Sequence, residues 1–419
     1  MTELTASAAA ILGFDPFAPA FHSDPYAQYR RLRATGPLRR TPANIWVATS
    51  HALCSEVLRD PRFGHRPGAS GGILRSAGAA GERRSFLSLD PPDHTPLRRL
   101  VSKAFTARLV ERLRPRVAEL VDELLAGVSG EADLIAALAW PLPVAMISEL
   151  LGVPPEDKSR FKAWSDALAR GLDPDFILPP GEIAQRERAR DEFVGYFRTL
   201  VARRRAAASG DGASGDGASG DLLGALVAVS DQGDVLSEAE LLATCILVLV
   251  AGHETTVNLI GNGALALLRH PGQLDWFRTH PEAAASAVEE LLRYDPPVQL
   301  TARSALEDVE LAGHRIERGQ VVLLLLGAAN RDPGVFPDPD RLDLTRAPER
   351  HLAFGLGIHY CLGAPLARLE GQIALTKLFQ REVSLAGEVS YRDNLILRGL
   401  ATLPVTIGPV SVGPGVTPA

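Results

Sequence analysis

Residues 237–269, SEAELLATCILVLVAGHETTVNLIGNGALALLR, constrain the fold more than any other stretch. Ser237 with Glu240 three residues later forms a capping box ahead of an apolar run. The helical pattern continues to about Arg269 and stops before Pro271. About 32 residues at 1.5 Å each give a helix of roughly 50 Å, long enough to cross a whole domain. Its longest apolar run, LLATCILVLVA at 241–251, is too short to span a bilayer and runs directly into the polar GHETT. No membrane association is expected.

The rest of the composition agrees with a globular enzyme. A net charge of −6 argues against wholesale attraction to nucleic acid. The three cysteines, Cys54, Cys245 and Cys361, are far apart and make neither a disulfide framework nor a CxxC zinc pattern, which fits a reducing cytoplasm. The N-terminal ASAAAILGF lacks a basic leader and follows Glu3, so no signal peptide is expected.

Other helices are legible in LVERLRPRVAELVDELLAGV and FVGYFRTLVARRRAA, where apolar residues recur three or four apart. Short strands are expected in VELAGHRI and VVLLLLGAAN, and another helix from about Pro365 to Gln380. The repeat SGDGASGDGASGD at 209–221 cannot pack a core and reads as a slack surface loop. The balance is mainly α with a small β region. One domain over 1–419 is expected, with a flexible loop at about 207–220 and frayed ends at 1–12 and 410–419.

Chemistry enters at HLAFGLGIHYCLGAPLARLE, residues 351–370. Pro365 sits in the first turn of the following helix, and Leu366, Leu369 and Ile373 share one face. Cys361 therefore lies at the positive end of a helix, where backbone N–H groups favour thiolate over thiol. Gly355, Gly357 and Gly363 permit close approach of a flat, bulky partner. Taken alone, Cys361 reads equally as a small core hydrophobe.

The full string FGLGIHYCLG resembles the haem-binding loop of the cytochrome P450 family, F-G-x-G-x-(H/R)-x-C-x-G, and Ala364, Leu366, Ala367 and Arg368 match the family's following A-x-L-A-R. The resemblance implies the P450 fold, with haem between the long helix and the helix after the cysteine. It implies Cys361 as the thiolate ligand of haem b, with Phe354, Gly355, His359 and Gly363 framing the cofactor. Such a thiolate pushes electron density onto iron.

Three further features follow from the resemblance. AGHETT at 251–256 is close to the family's (A/G)-G-x-(D/E)-T-T. There Ala251 and Gly252 border a groove for dioxygen, Thr255 hydrogen-bonds the dioxygen, and Glu254 relays protons. ExxR occurs at 56, 111, 187 and 290, and Glu290 with Arg293 has the family's neighbours. That pair is expected to be structural, joined by Arg341 or a neighbour. His94, Arg98, Arg303 and His359 match the contacts to the haem propionates, and Arg suits carboxylates because its planar fork bonds two oxygens.

The implied reaction is insertion of one atom of dioxygen into a lipophilic small molecule, by hydroxylation or epoxidation, in natural-product or terpenoid- and steroid-like metabolism. GxGxxG spacing falls only within the slack Gly/Ser/Asp repeat at 210–220, not at a strand-to-helix turn, and no CxxC cluster is present. No fused redox module is therefore expected, and a separate ferredoxin and NAD(P)H-dependent ferredoxin reductase are implied. Arg99, Lys103, Arg108 and Arg112 are either a docking surface for an acidic ferredoxin or the solvated face of a helix. A substrate pocket is expected from Leu247, Leu249, Val250, Val298, Leu300, Ile396 and Leu397, some of which are core, with the glycine-rich 66–88 as an access flap. A peroxygenase, an oxidative coupling enzyme and a non-catalytic haem-thiolate sensor are the alternatives. The Glu254–Thr255 pair argues against the first, and the lack of an output domain against the last.

Overall fold

The computed structural model describes residues 8–65, 85–208, 222–231, 237–347 and 349–410. The central helix is Glu238–Arg269, 32 residues, opened by the capping box. The Ser237 hydroxyl accepts the Glu240 N–H at 3.3 Å, and the Glu240 carboxylate accepts the Ser237 N–H at 2.8 Å. By length and apolarity this helix could cross a membrane, yet 67% of its most apolar window is buried inside the protein.

Helices pack around it. Pro141–Leu150, Ala284–Tyr294 and Ala364–Phe379 all contact it. Ala364–Phe379 approaches closely because it presents Gly371, where a Cβ would stand 3.0 Å from a Leu259 methyl of the central helix. A side chain there requires the Leu259 methyl to give way, and where it does not the typical overpacking cost is ~1–3 kcal/mol. Lys158–Arg170 and Pro180–Ala208 also touch the central helix, and Ala107–Ala126 packs against Ala364–Phe379. Apolar side chains from these helices form the largest core cluster.

The β structure is minor, as expected. A five-stranded sheet has the spatial order Leu38–Arg40, Trp46–Ala48, Val321–Leu324, Thr301–Ala305, Phe63–Gly64. Trp46–Ala48 and Val321–Leu324 run parallel, and the other neighbours are antiparallel. A second sheet joins Gly130–Asp133, Pro404–Val410 and Arg381–Leu385. The first sheet and the helix His51–Arg59 enclose a second core cluster that includes Leu352 and Leu356 of the cysteine loop.

Some expectations change. VELAGHRI is a hairpin of Val309–Leu311 and His314–Ile316, but VVLLLLGAAN is a strand only over Val321–Leu324. Its end turns into the short helix Leu326–Ala329, because Gly327 and the alanines are small enough to pack there beneath Gln299. Residues 8–12 are helical rather than frayed. Ala8, Ile11 and Leu12 are buried in a third cluster with Phe14, Phe21 and Tyr29. Val410 is the last residue of a paired strand. Residues 1–7, 209–221 and 411–419 lie outside the described residues, as does most of the expected flap, 66–84.

Candidate functional site

The loop before Ala364–Phe379 is held in shape by two glycines with left-handed backbone, Gly355 at φ +66° and Gly357 at φ +71°. Gly357 has a second reason: a Cβ would collide with the Leu58 carbonyl, so the loop can rest directly on helix His51–Arg59. Gly363 differs. Its φ is −79°, and it serves as the N-cap of the helix, with only the Cys361 sulfur near a Cβ position, at 4.0 Å.

Cys361 is tied back by its N–H to the Phe354 carbonyl at 3.0 Å. Burial pushes its thiol above the ordinary value, while hydrogen bonds from the Gly363 and Ala364 N–H groups and the charges of Arg98 and Arg368 pull the other way. The helix start thus turns two backbone donors toward the sulfur, but burial outweighs them, so the protein alone does not favour the thiolate expected from the sequence. Cys54 and Cys245 are fully buried core thiols; Cys54 meets one backbone donor, Leu325, rather than two, and burial pushes Cys245 up to about 12.

The polar group beside the loop is a cluster of potential cations. His94 is 3% exposed, and its ring lies 4.5 Å from that of His359. Arg98 donates to the Tyr360 carbonyl. Arg303, in strand Thr301–Ala305, is 6% exposed, and burial lowers its pKa to about 10. Burial, reinforced by Arg303, His94 and Arg98, lowers His359 to about 3. All four residues taken from sequence therefore meet. His65 joins them, with its ring 4.6 Å from that of His359. Among the described residues, the buried His94 Nε2, His65 Nε2 and both ring nitrogens of His359 have no hydrogen-bond partner.

The central helix runs unbroken through AGHETT. Ala251 is exposed there, in the middle of an otherwise buried helix. Thr255 Oγ1 donates to the Ala251 carbonyl at 2.7 Å, and Thr256 Oγ1 to that of Gly252 at 3.3 Å. Glu254 is 1% exposed. Arg392 Nη1 donates to both of its oxygens at 3.0 Å, and His253 Nε2 lies 3.3 Å away. Burial raises the Glu254 carboxyl, but His253 and Arg392 more than reverse this, leaving it below the ordinary carboxylate value. Arg392 also reaches Asp166 at 3.7 Å, whose side chain is 44% exposed, so charged groups connect Glu254 to the surface.

Comparison with known proteins gives the family of the chain. The family model described as Cytochrome P450 matches residues 38–275 and 283–407. The chain belongs to the cytochrome P450 family. It is an oxidoreductase of the monooxygenase class. It is 44% identical over 416 residues to the cytochrome P450 monooxygenase PikC of Streptomyces venezuelae, covering 96% of this chain and 95% of that one. It is 42% identical to the vitamin D(3) 25-hydroxylase of Pseudonocardia autotrophica, covering 95% and 97%. Among solved structures, Mycobacterium smegmatis CYP164A2 without ligand superposes with a TM-score of 0.83 at 45% identity, covering 93% of this chain and 98% of that one.

P450 membership implies a haem cofactor. The residues fit one: a thiol beneath two backbone donors offers a soft ligand, and partnerless imidazoles among two guanidiniums suit a group carrying carboxylates.

The ExxR pair of this P450 is buried. Arg293 donates to Glu290 at 2.6 and 2.8 Å and to the carbonyls of Asn330, Pro339 and Arg341. Arg341 contributes only that carbonyl, its own side chain being paired with Asp343. The neighbour Arg346 is the side chain that reaches Glu290, at 3.4 Å. Of the expected pocket residues, Leu249, Val250, Leu300 and Leu397 are buried in core clusters, while Leu247, Val298 and Ile396 are half-buried at the margins. Val298 bridges Leu397, and the Gln299 N–H donates to the Ile396 carbonyl, so these distant segments do meet. Arg99, Arg108 and Arg112 are exposed but divide between helices His94–Ala104 and Ala107–Ala126. Nothing in the sequence pointed to Arg392, Asp166 or His65, whose partners lie far along the chain.

Proposed function

We propose that this P450 binds haem b through the Cys361 thiolate and inserts one atom of dioxygen into a large lipophilic small molecule, with electrons from a separate ferredoxin and NAD(P)H-dependent ferredoxin reductase. The observation that carries the reading is the Cys361 sulfur held under the Gly363 and Ala364 N–H groups at a helix start. Bound there, the haem supplies dioxygen activation. Arg98, Arg303, His94 and His359 hold its carboxylates. Glu254 would take protons from the Arg392 and Asp166 side, and the Thr255 hydroxyl would turn from the Ala251 carbonyl to donate a hydrogen bond to dioxygen. Phe354 and Gly355 shape the loop, and Glu290 with Arg293 ties down the Pro/Asp segment that precedes it.

Relatives support the substrate class: one is a vitamin D(3) 25-hydroxylase and another the 6-deoxyerythronolide B hydroxylase of Saccharopolyspora erythraea, 40% identical over 409 residues. The same proposal takes the chain to work as one domain in the cytoplasm. Oxidative coupling is the second reading, supported by a solved P450, CxnD, named for C–S bond formation and 37% identical.

The test is the visible spectrum of the dithionite-reduced protein with carbon monoxide. A strongly red-shifted Soret band is expected, and a band typical of histidine-ligated haem overturns the reading. Oxygen-18 from dioxygen appearing in the product separates insertion from coupling. Glu254→Gln is expected to slow product formation about 100-fold with the carbon monoxide band unchanged.

A further inference from the structure

His65 belongs to the cation cluster, yet no feature of the cysteine loop or of the helix His94–Ala104 calls for it. It follows the two-residue strand Phe63–Gly64, whose Gly64 pairs with Ser304, the neighbour of Arg303. The His65 N–H donates to both oxygens of Asp90, at 2.8 and 3.0 Å. The Asp90 carbonyl in turn accepts the His94 N–H at 3.0 Å. One residue therefore ties down the backbones of two histidines from different elements. Gly64 makes this closure possible, since a Cβ there would stand 2.5 Å from the Asp90 carboxylate.

The imidazoles converge on His359. His65 meets it edge-on at 85°, and His94 meets it at 59°. Fixing three rings this closely, beside Arg303 and Arg98, is costly in isolation. Burial, then the charges of Arg303, His359 and His94, bring the His65 pKa down to about 2. Buried ring nitrogens without partners add a desolvation penalty. Asp90 is the carboxylate whose charge reaches His94 and Arg303, and its two oxygens are already engaged by the His65 backbone. An excess of donors over acceptors of this kind is matched to an anion from outside the chain.

We propose that His65 is a further holder of the cofactor, its Nε2–H donating to a haem propionate alongside His94, Arg98, Arg303 and His359, and that it governs how firmly the haem is retained. The proposal rests on the haem-thiolate reading above. It adds a ligand-holding residue from the segment before the glycine-rich stretch, where the sequence motifs placed none.

The experiment measures haem transfer from holoprotein to an excess of an apo-globin scavenger, followed in the Soret region, with the reduced carbon monoxide spectrum and thermal unfolding recorded on each sample. His65→Phe keeps a ring against His359 but removes the donor, and is expected to lose haem about 10-fold faster, as a lost hydrogen bond to a charged group predicts. His65→Gln restores a donor and is expected to stay within about 3-fold of the parent. His65→Ala carries the same expectation as His65→Phe should the larger ring disturb folding. The red-shifted carbon monoxide band is expected in all variants, because the thiolate is untouched. Equal transfer rates for parent, His65→Phe and His65→Ala, with His94→Phe accelerated, overturn the proposal. Transfer from His65→Gln as fast as from His65→Phe also overturns it, since ring packing alone then explains the loss. A parent protein without the red-shifted band overturns the haem-thiolate reading, and this proposal with it.

Discussion

Glu111–Arg114 and Glu290–Arg293 are the same four-residue pattern in two settings. Both sit on helices, and both guanidiniums grip their carboxylate with two hydrogen bonds, at 2.9 and 3.1 Å in the first and 2.6 and 2.8 Å in the second. In the first pair the arginine and glutamate side chains are 48% and 64% exposed, and in the second 2% and 5%. Water competes for the first pair at every moment. The second has no such alternative, so Arg293 is satisfied instead by three backbone carbonyls, and its guanidinium lies 5.3 Å from the Phe336 ring centre. Glu290 accepts the Asp343 N–H at 3.0 Å. The same bond thus ties down the Pro/Asp loop at one site and decorates a surface at the other.

The contrast is sharpest for Arg293→Ala. It strands the Glu290 carboxylate in the interior and is expected to cost about 3–5 kcal/mol, with a corresponding fall in the urea midpoint. A loss below about 1 kcal/mol would mean that burial does not separate the two pairs. Arg346→Ala removes one longer contact to Glu290 and hydrogen bonds to the Pro337, Asp338 and Arg341 carbonyls, so a smaller loss of about 1–2 kcal/mol is expected from the same measurement.

Glu289, beside Glu290, is an intermediate case that pH can read. Its burial raises the carboxyl, but Arg368 and His351 overcome this and bring it down to about 2. A folded pKa below the unfolded one gives stability that is present above about 4.5 and lost as pH falls from about 4.5 toward 2. Glu289→Gln is expected to flatten the decline of the urea midpoint between pH 5 and about 3. An unchanged slope would show that Arg368 gains nothing from this partner. Glu111→Ala is expected to leave the midpoint unchanged at low and high salt alike, and a salt-dependent fall would bring the exposed pair closer to the buried one.

Much of the site was legible because its signals are local. The Ser237 cap, the N–H groups facing Cys361 and the bond between Glu290 and Arg293 all join residues within a turn of one another, where backbone geometry dictates the contact. The glycines of the cysteine loop were legible as a group but not in their separate duties. Gly357 is required by both its φ and the Leu58 carbonyl, whereas Gly363 needs neither. Leu249 and Leu300 looked like pocket residues because apolar character does not say which apolar surface a side chain meets, and both are core.

The sequence by itself determined the long capped helix, the presentation of Cys361 at a helix start and the family to which the chain belongs, since each is written in residues a few positions apart. The tertiary structure decided which of four ExxR matches is buried, that Glu254 is held by Arg392 across 138 residues, and that His65 stands with His94 and His359. Those outcomes depend on how helices and strands pack, and packing joins side chains whose separation along the chain carries no signal.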